Sequence, residues 1–242
     1  MSTVHSFCVG LILCLGCIGC AYAPGHPSPG PEVPRPEQVL DFATLYKQNC
    51  AGCHGENGKN GMAMALANPV YLAIAGNANL RQVIAKGVDG KLMPPFDKSA
   101  GGTLTSQQID RLIEGMLQTW SGTNTLAALH PPSYTAAAKS DPKQGQKVFG
   151  EFCAQCHGAD GAGVKSPAAT KPNTVFGSIV DPAYLALVSD QSLRSIIIAG
   201  RPDQNMPDWR SDAAGLGSHA MSDQEITDVV AWLAAQRAAS NP

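Results

Sequence analysis

Two stretches of the chain have residue types and spacing suited to one kind of chemistry. Cys50-Ala51-Gly52-Cys53-His54 and Cys153-Ala154-Gln155-Cys156-His157 both read C-x-x-C-H, the attachment signature of a c-type haem. Two thiols one helical turn apart can add to the two vinyl groups of a porphyrin, and the adjoining imidazole then lies beneath the iron. Cys50, Cys53, Cys153 and Cys156 are therefore the expected cofactor-binding residues, and His54 and His157 the expected proximal ligands. Met93-Pro94 and Met206-Pro207 follow the two histidines at 39 and 49 residues. A thioether as sixth ligand stabilises ferrous iron relative to a second imidazole, which raises the potential as an electron carrier commonly requires.

Other uses of these cysteines fit less well. A zinc ribbon pairs its C-x-x-C knuckles about 15 to 20 residues apart, whereas these lie 103 apart and each has its own histidine. A thioredoxin-type motif needs a βαβ setting, but Gly55-Glu56-Asn57-Gly58 and Gly158-Ala159-Asp160-Gly161 read as loops. Disulfide pairing is disfavoured because the remaining cysteines all lie in the first twenty residues.

Competing axial ligands can be ranked in the same way. Met221 and His219 rival Met206, which is preferred because Pro207 stiffens its loop. Met62, Met64 and Met116 rival Met93 and read instead as apolar filler. His26 and His130 fall in Pro-rich linkers and should be solvated.

Placing these groups requires scaffold, and the chain is poor in it. The 242 residues are 6% aromatic and 15% charged, with 25 Gly and 18 Pro, which leaves few large side chains for a core. A porphyrin in each half would serve as a large apolar core element. The net charge of −2 argues against nucleic acid as a partner.

The halves repeat. At an offset of 113, Asn68-Pro69-Val70-Tyr71-Leu72 falls on Asp181-Pro182-Ala183-Tyr184-Leu185, Leu80-Arg81 on Leu193-Arg194, Gly87 on Gly200, and Met93-Pro94 on Met206-Pro207. Each half ends in an amphipathic helix opened by a capping box, Thr105 with Gln108 and Ser222 with Glu225. Ile109, Leu112, Ile113 and Met116 line one helix, and Ile226, Val229, Val230 and Leu233 the other. A shorter helix leads into each motif. Gly145 in the second half would let that helix cross close to the last one beside Trp232. In the first half Gly115 stands at the matching place and Trp120 lies further on, so the contact there must be packed differently.

This order of helix, C-x-x-C-H, Gly-rich loop, short helix, Met-Pro loop and capped last helix resembles the bacterial class I cytochrome c family. The resemblance covers about 41–120 and 141–238. Two units in tandem are similar to soluble dihaem cytochromes of respiratory chains and to the dihaem subunit of cbb-type oxidases. It implies an all-α fold of two tandem class I cytochrome c domains, each built around one covalently attached haem c, with its iron held by His54 and Met93 or by His157 and Met206. Residues 121–140, with Gly122 and Pro131-Pro132, form the expected linker. Arg81 and Arg194 match in the repeat, and each is expected either to pair with a haem propionate or to cap its helix at the surface.

The resemblance also implies export, since haem is attached outside the bacterial cytoplasm. Residues 1–20 fit an export segment, with an apolar run from Phe7 to Ile18 too short for a comfortable membrane span. Cys17-Ile18-Gly19-Cys20 resembles a lipoprotein site with Cys20 lipidated, Cys17 the alternative, and simple cleavage after Ala21-Tyr22-Ala23 a third reading. In the 21–40 spacer, six prolines between Pro24 and Pro36 favour an extended tether, reaching about 40 Å at roughly 3.1 Å per residue.

With both irons ligated by His and Met, no position is open to a substrate. The expectation is an electron carrier and not an enzyme, on the periplasmic side of the membrane through its lipid anchor. It would serve a quinol-oxidising complex, a dehydrogenase or a terminal oxidase. The alternative is a catalytic dihaem enzyme of peroxidase or thiosulfate dehydrogenase type, which would need an exchanged distal ligand or a cysteine ligand. No cysteine lies downstream of Cys156.

Overall fold

The computed structural model describes residues 30, 33–122, 130–136, 139–165, 175–210 and 215–239. The export segment 1–20, Cys17, Cys20, His26, most of the 21–40 spacer and part of the 121–140 linker lie outside the described residues. Residues 1–38 form one unit, whose described part ends in a 3-10 turn at Pro36–Gln38, and residues 39–242 form a second.

Within the second unit each half builds the same series of helices. In the first, α1 (Phe42–Asn49) starts at Asp41, whose carboxylate accepts from the Thr44 amide, and runs into the single turn α2 (Ala51–His54). Asn68 caps α3 (Pro69–Lys86), and Pro69 supplies a first helical residue that needs no amide. Thr105 and Gln108 form the expected capping box at the head of α4 (Ser106–Trp120). The second half repeats this with α5 (Pro142–Phe152), capped by Asp141, and α6 (Ala154–His157). There follow α7 (Pro182–Leu187), α8 (Asp190–Ala199) and α9 (Asp223–Ala239). The single helix α3 and the pair α7 and α8 are the same element, because α3 breaks its geometry at Gly76, the repeat equivalent of the α8 cap Ser189. The fold is all-α apart from two paired two-residue strands, β1 (Val164–Lys165) and β2 (Val175–Phe176).

The last helices bury the faces that periodicity predicts. Ile109, Leu112, Ile113 and Met116 are all buried, as are Ile226, Val229, Val230 and Leu233. The difference between the halves at the helix crossing has a steric explanation. Phe42 and Gly145 both stand eight residues before their first motif cysteine, and Gly115 and Trp232 both stand ten residues past their N-cap. A Cβ on Gly145 would lie 2.0 Å from the Asp228 carbonyl oxygen, so α5 and α9 cross with backbone nearly touching and Trp232 closing over Phe149, ring centroids 4.5 Å apart. In the first half large and small change places. A Cβ on Gly115 would lie 2.2 Å from the Phe42 ring, so α4 provides the hollow and α1 the ring that fills it, with Trp120 edge-on at 5.5 Å.

The halves are also not separate bodies on a linker. Helices α3 and α8 pack together, and the buried Asn68 amide donates to the carbonyls of Ala199 at 2.9 Å and Gly200 at 3.3 Å. Residues 39–242 are one unit with two lobes.

Candidate haem sites

In the first lobe, α1 ends where α2 begins, which sets Cys50, Cys53 and His54 on one turn. The loop beyond folds back, with Tyr46 Oη donating to the Gly55 carbonyl at 2.9 Å and the Ala63 amide to the Cys53 carbonyl at 3.0 Å. His54 Nδ1 lies 2.8 Å from the Met64 carbonyl oxygen. A carbonyl only accepts, so Nδ1 carries the proton and Nε2 keeps the lone pair that a metal needs. Burial holds the His54 imidazole below its ordinary pKa, opposed by the Met64 hydrogen bond and aided by the Arg201 charge. His157 is lowered by burial as well. Both shifts favour the neutral, ligating imidazole.

Burial, reinforced by the neighbouring motif thiol, pushes Cys50 and Cys153 up to about 12.

In the second lobe one cleft is lined by Cys153, Cys156 and His157 at and on α6 and by Arg201, Met206 and Met221. Two thiols, an imidazole and thioethers around a largely apolar cleft are the donor set that a covalently attached haem requires, so the residues fit the group.

Both Met-Pro loops are closed by the same backbone bridge. The Val88 amide donates to the Met93 carbonyl at 2.9 Å, and the Arg201 amide to the Met206 carbonyl at 2.9 Å. Gly87 and Gly200 precede these bridges at φ +69° and +67°, and a Cβ on either would lie 2.6 Å from the Met-Pro backbone. The repeated glycines thus let the methionine loop lie against its helix end.

The rival ligands separate. His219 is exposed, with Nδ1 on Ser218 Oγ at 2.9 Å and Nε2 on Glu225 Oε1 at 3.0 Å. Met221 is buried beside Met206 in the cleft. Met116 is core filler as expected, and Met64 packs partly buried against that core. Met62 is not filler, being 80% exposed. His130 is exposed as expected.

The two matched arginines have protein partners. Arg81 pairs with Asp110 at the surface. Arg194, 2% exposed, gives Nε to the Ser133 and Tyr134 carbonyls, Nη1 to Thr227 and Nη2 to Asp223. The arginine that lines the cleft is Arg201, which sequence reasoning missed. The repeat did not single it out, since Arg201 falls on Val88 in a segment where all five residues 88–92 differ from 201–205.

Both halves of the chain resemble known proteins. Residues 142–236 match the family model for cytochrome c, and residues 37–114 match that for cytochrome c oxidase, cbb3-type, subunit III. The chain is 33% identical over 133 residues to the cbb3-type cytochrome c oxidase subunit FixP of Sinorhizobium medicae, covering 50% of this chain and 39% of the relative. It is 27% identical to the subunit CcoP of Cereibacter sphaeroides, covering 52% and 43%. The chain thus spans about two fifths of the length of these curated relatives. A solved chain of the Kuenenia stuttgartiensis reducing HAO-like protein complex aligns with a TM-score of 0.46 and 18% identity, over 84% of this chain and 99% of that one. With a cytochrome c match in each half of an all-α repeat, the chain is a tandem class I c-type cytochrome carrying two covalently bound haem c groups.

Proposed function

We propose that the protein carries single electrons in a respiratory chain, as a tethered carrier or as the electron-transfer subunit of a membrane oxidase complex. The carrying observation is the repetition of one ligand device, a motif histidine on a one-turn helix and a methionine in a loop closed by the same bridge, at Val88–Met93 and Arg201–Met206. In this reading residues 41–120 and 141–238 each hold one haem, through Cys50 and Cys53 or through Cys153 and Cys156. His54 and His157 would be the proximal ligands, and Met93 and Met206 the distal ones. Bound haem supplies reversible one-electron chemistry at iron. His54 with Met93, and His157 with Met206, would occupy the iron's ligand positions, and burial keeps both imidazoles neutral, an arrangement suited to electron transfer without a bond made or broken in a substrate.

The relatives named as cbb3-type oxidase subunits support a terminal oxidase as one redox partner, and a quinol-oxidising complex or dehydrogenase would supply the electrons. The protein would face the periplasm, anchored through lipid on Cys20 or Cys17. No helix among the described residues is long and apolar enough to cross a membrane. A catalytic dihaem enzyme, peroxidase or thiosulfate dehydrogenase, is the competing reading, and the duplicated Met-Pro loop disfavours it.

A spectropotentiometric titration combined with intact-mass measurement of exported protein tests the proposal. Two haems, both low-spin at rest, and a lipid mass increment are expected. A resting high-spin iron, or turnover on adding peroxide or thiosulfate, would replace the carrier by the enzyme.

A further inference from the structure

Among the positions where the repeat between the two lobes fails, Asn68 and Arg201 each use a side chain to bridge the lobes. Asn68 and Asp181 are equivalent N-caps. The Asp181 carboxylate accepts from the Tyr184 amide at 3.0 Å, whereas Asn68 both caps α3 and donates its amide hydrogens across the seam to Ala199 and Gly200. A carboxylate could not donate there. Val88 and Arg201 are equivalent in the ligand loops and make the same backbone bridge, so the loop itself does not need the arginine side chain.

That side chain is occupied elsewhere. Arg201 Nη2 donates to the Gly61 carbonyl of the first lobe at 3.2 Å, and the guanidinium holds Asp203 through Nε at 3.2 Å and Nη2 at 3.1 Å. Asp203 in turn accepts the Asn60 amide at 2.9 Å. The Arg201 and Asp203 side chains are only 10% and 4% exposed, so both charges are desolvated and each depends on the other.

The segments joined both lie next to proposed haem-binding residues. On one side is loop 201–206, which ends in Met206. On the other is loop 60–61, where a Cβ on Gly61 would lie 2.3 Å from the Cys53 carbonyl oxygen and 2.5 Å from the His54 carbonyl carbon. Arg201 also lines the cleft that holds His157 and Met206.

We propose that Arg201 and Asp203, assisted by Asn68, form a clasp by which the first lobe's attachment loop holds the second lobe's methionine loop, making Arg201 a positioning residue for Met206. Ligation and potential in the second site then depend on contacts made in the first. The clasp rests on the reading of Met206 as an axial ligand.

Full-length holoprotein carrying Arg201→Gln, Arg201→Lys or Asn68→Ser tests it. Serine is an N-cap as good as asparagine and adds no charge, so Asn68→Ser removes the seam bonds while leaving the first lobe's helix capped. The readouts are the Met–iron absorption band of the oxidised protein and the two midpoint potentials. Arg201→Gln should lose the second site's share of the band and lower its potential, and Arg201→Lys should recover part of both. Asn68→Ser, although placed in the first lobe, should shift the second site's potential in the same direction. Wild-type band and potentials in both Arg201→Gln and Asn68→Ser would overturn the clasp. A wild-type protein whose second site shows no Met–iron band would overturn the ligand reading itself, and the clasp with it.

Discussion

Met93 and Met206 are the side chains on which the carrier reading turns, and each can be tested separately. Replacing either by His substitutes an imidazole for a thioether and should lower the potential of that haem alone, leaving the other wave of a redox titration in place. If both waves move equally, or neither moves, the ligand assignment fails. Arg194 makes a contrasting case. Its guanidinium is satisfied by Asp223, Thr227 and two backbone carbonyls, so Arg194→Gln should cost about 2 kcal/mol, the loss of charge-assisted hydrogen bonds. Chemical denaturation measures that loss. A shifted potential with unchanged stability would instead favour the propionate role for Arg194.

Helix crossings and caps carry the next set of expectations. Gly145→Ala places a methyl group 2.0 Å from the Asp228 carbonyl oxygen, which no rotamer relieves, so α5 and α9 must separate. A cost of about 1 to 3 kcal/mol is expected, read as a lower thermal midpoint with both haems still attached. At the head of α9, the Ser222 amide donates to Glu225 Oε2 at 2.8 Å and the Glu225 amide to Ser222 Oγ at 3.3 Å. Burial raises the Glu225 carboxyl, but the Ser222 amide and hydroxyl and His219 outweigh it and hold it below its ordinary value. A depressed folded-state value means that the stabilisation is present above the ordinary glutamate range and lost as pH falls through the lower folded value. Glu225→Gln should therefore flatten the acid side of the stability profile, and an unchanged profile would show that the box is not the titrating element. Ser222→Ala should cost about 1 kcal/mol at neutral pH.

Taken as one body, residues 39–242 join two repeats through a polar seam that includes Asn68, Arg201 and Asp203. Lobes joined in this way should unfold together. Denaturation of the holoprotein followed at the absorption bands of the two haems should give coincident midpoints, the signature of one cooperative unit. Two resolved transitions would mean that the seam is too weak to couple the lobes, which would also weaken the clasp.

Much of this was legible without coordinates, for a local reason. Haem attachment, capping and helix amphipathicity are short-range, so C-x-x-C-H, Thr105 with Gln108, Ser222 with Glu225, and the faces of α4 and α9 can be read from residues within a few turns of one another. The internal repeat extended that reading to Met93 and Met206 by register. Relations between elements distant in sequence needed the folded chain. The exchange of large and small residues at Phe42 and Gly115 against Gly145 and Trp232 was visible only as a mismatch, because which partner yields depends on how closely the helix axes cross. The carbonyl that orients His54, the protein partners that occupy Arg194, and the seam role of Arg201 all pair groups that no periodicity links. A hydrogen bond between residues 61 and 201 exists only once two lobes have buried the charge between them, and that desolvation is a property of the tertiary structure alone.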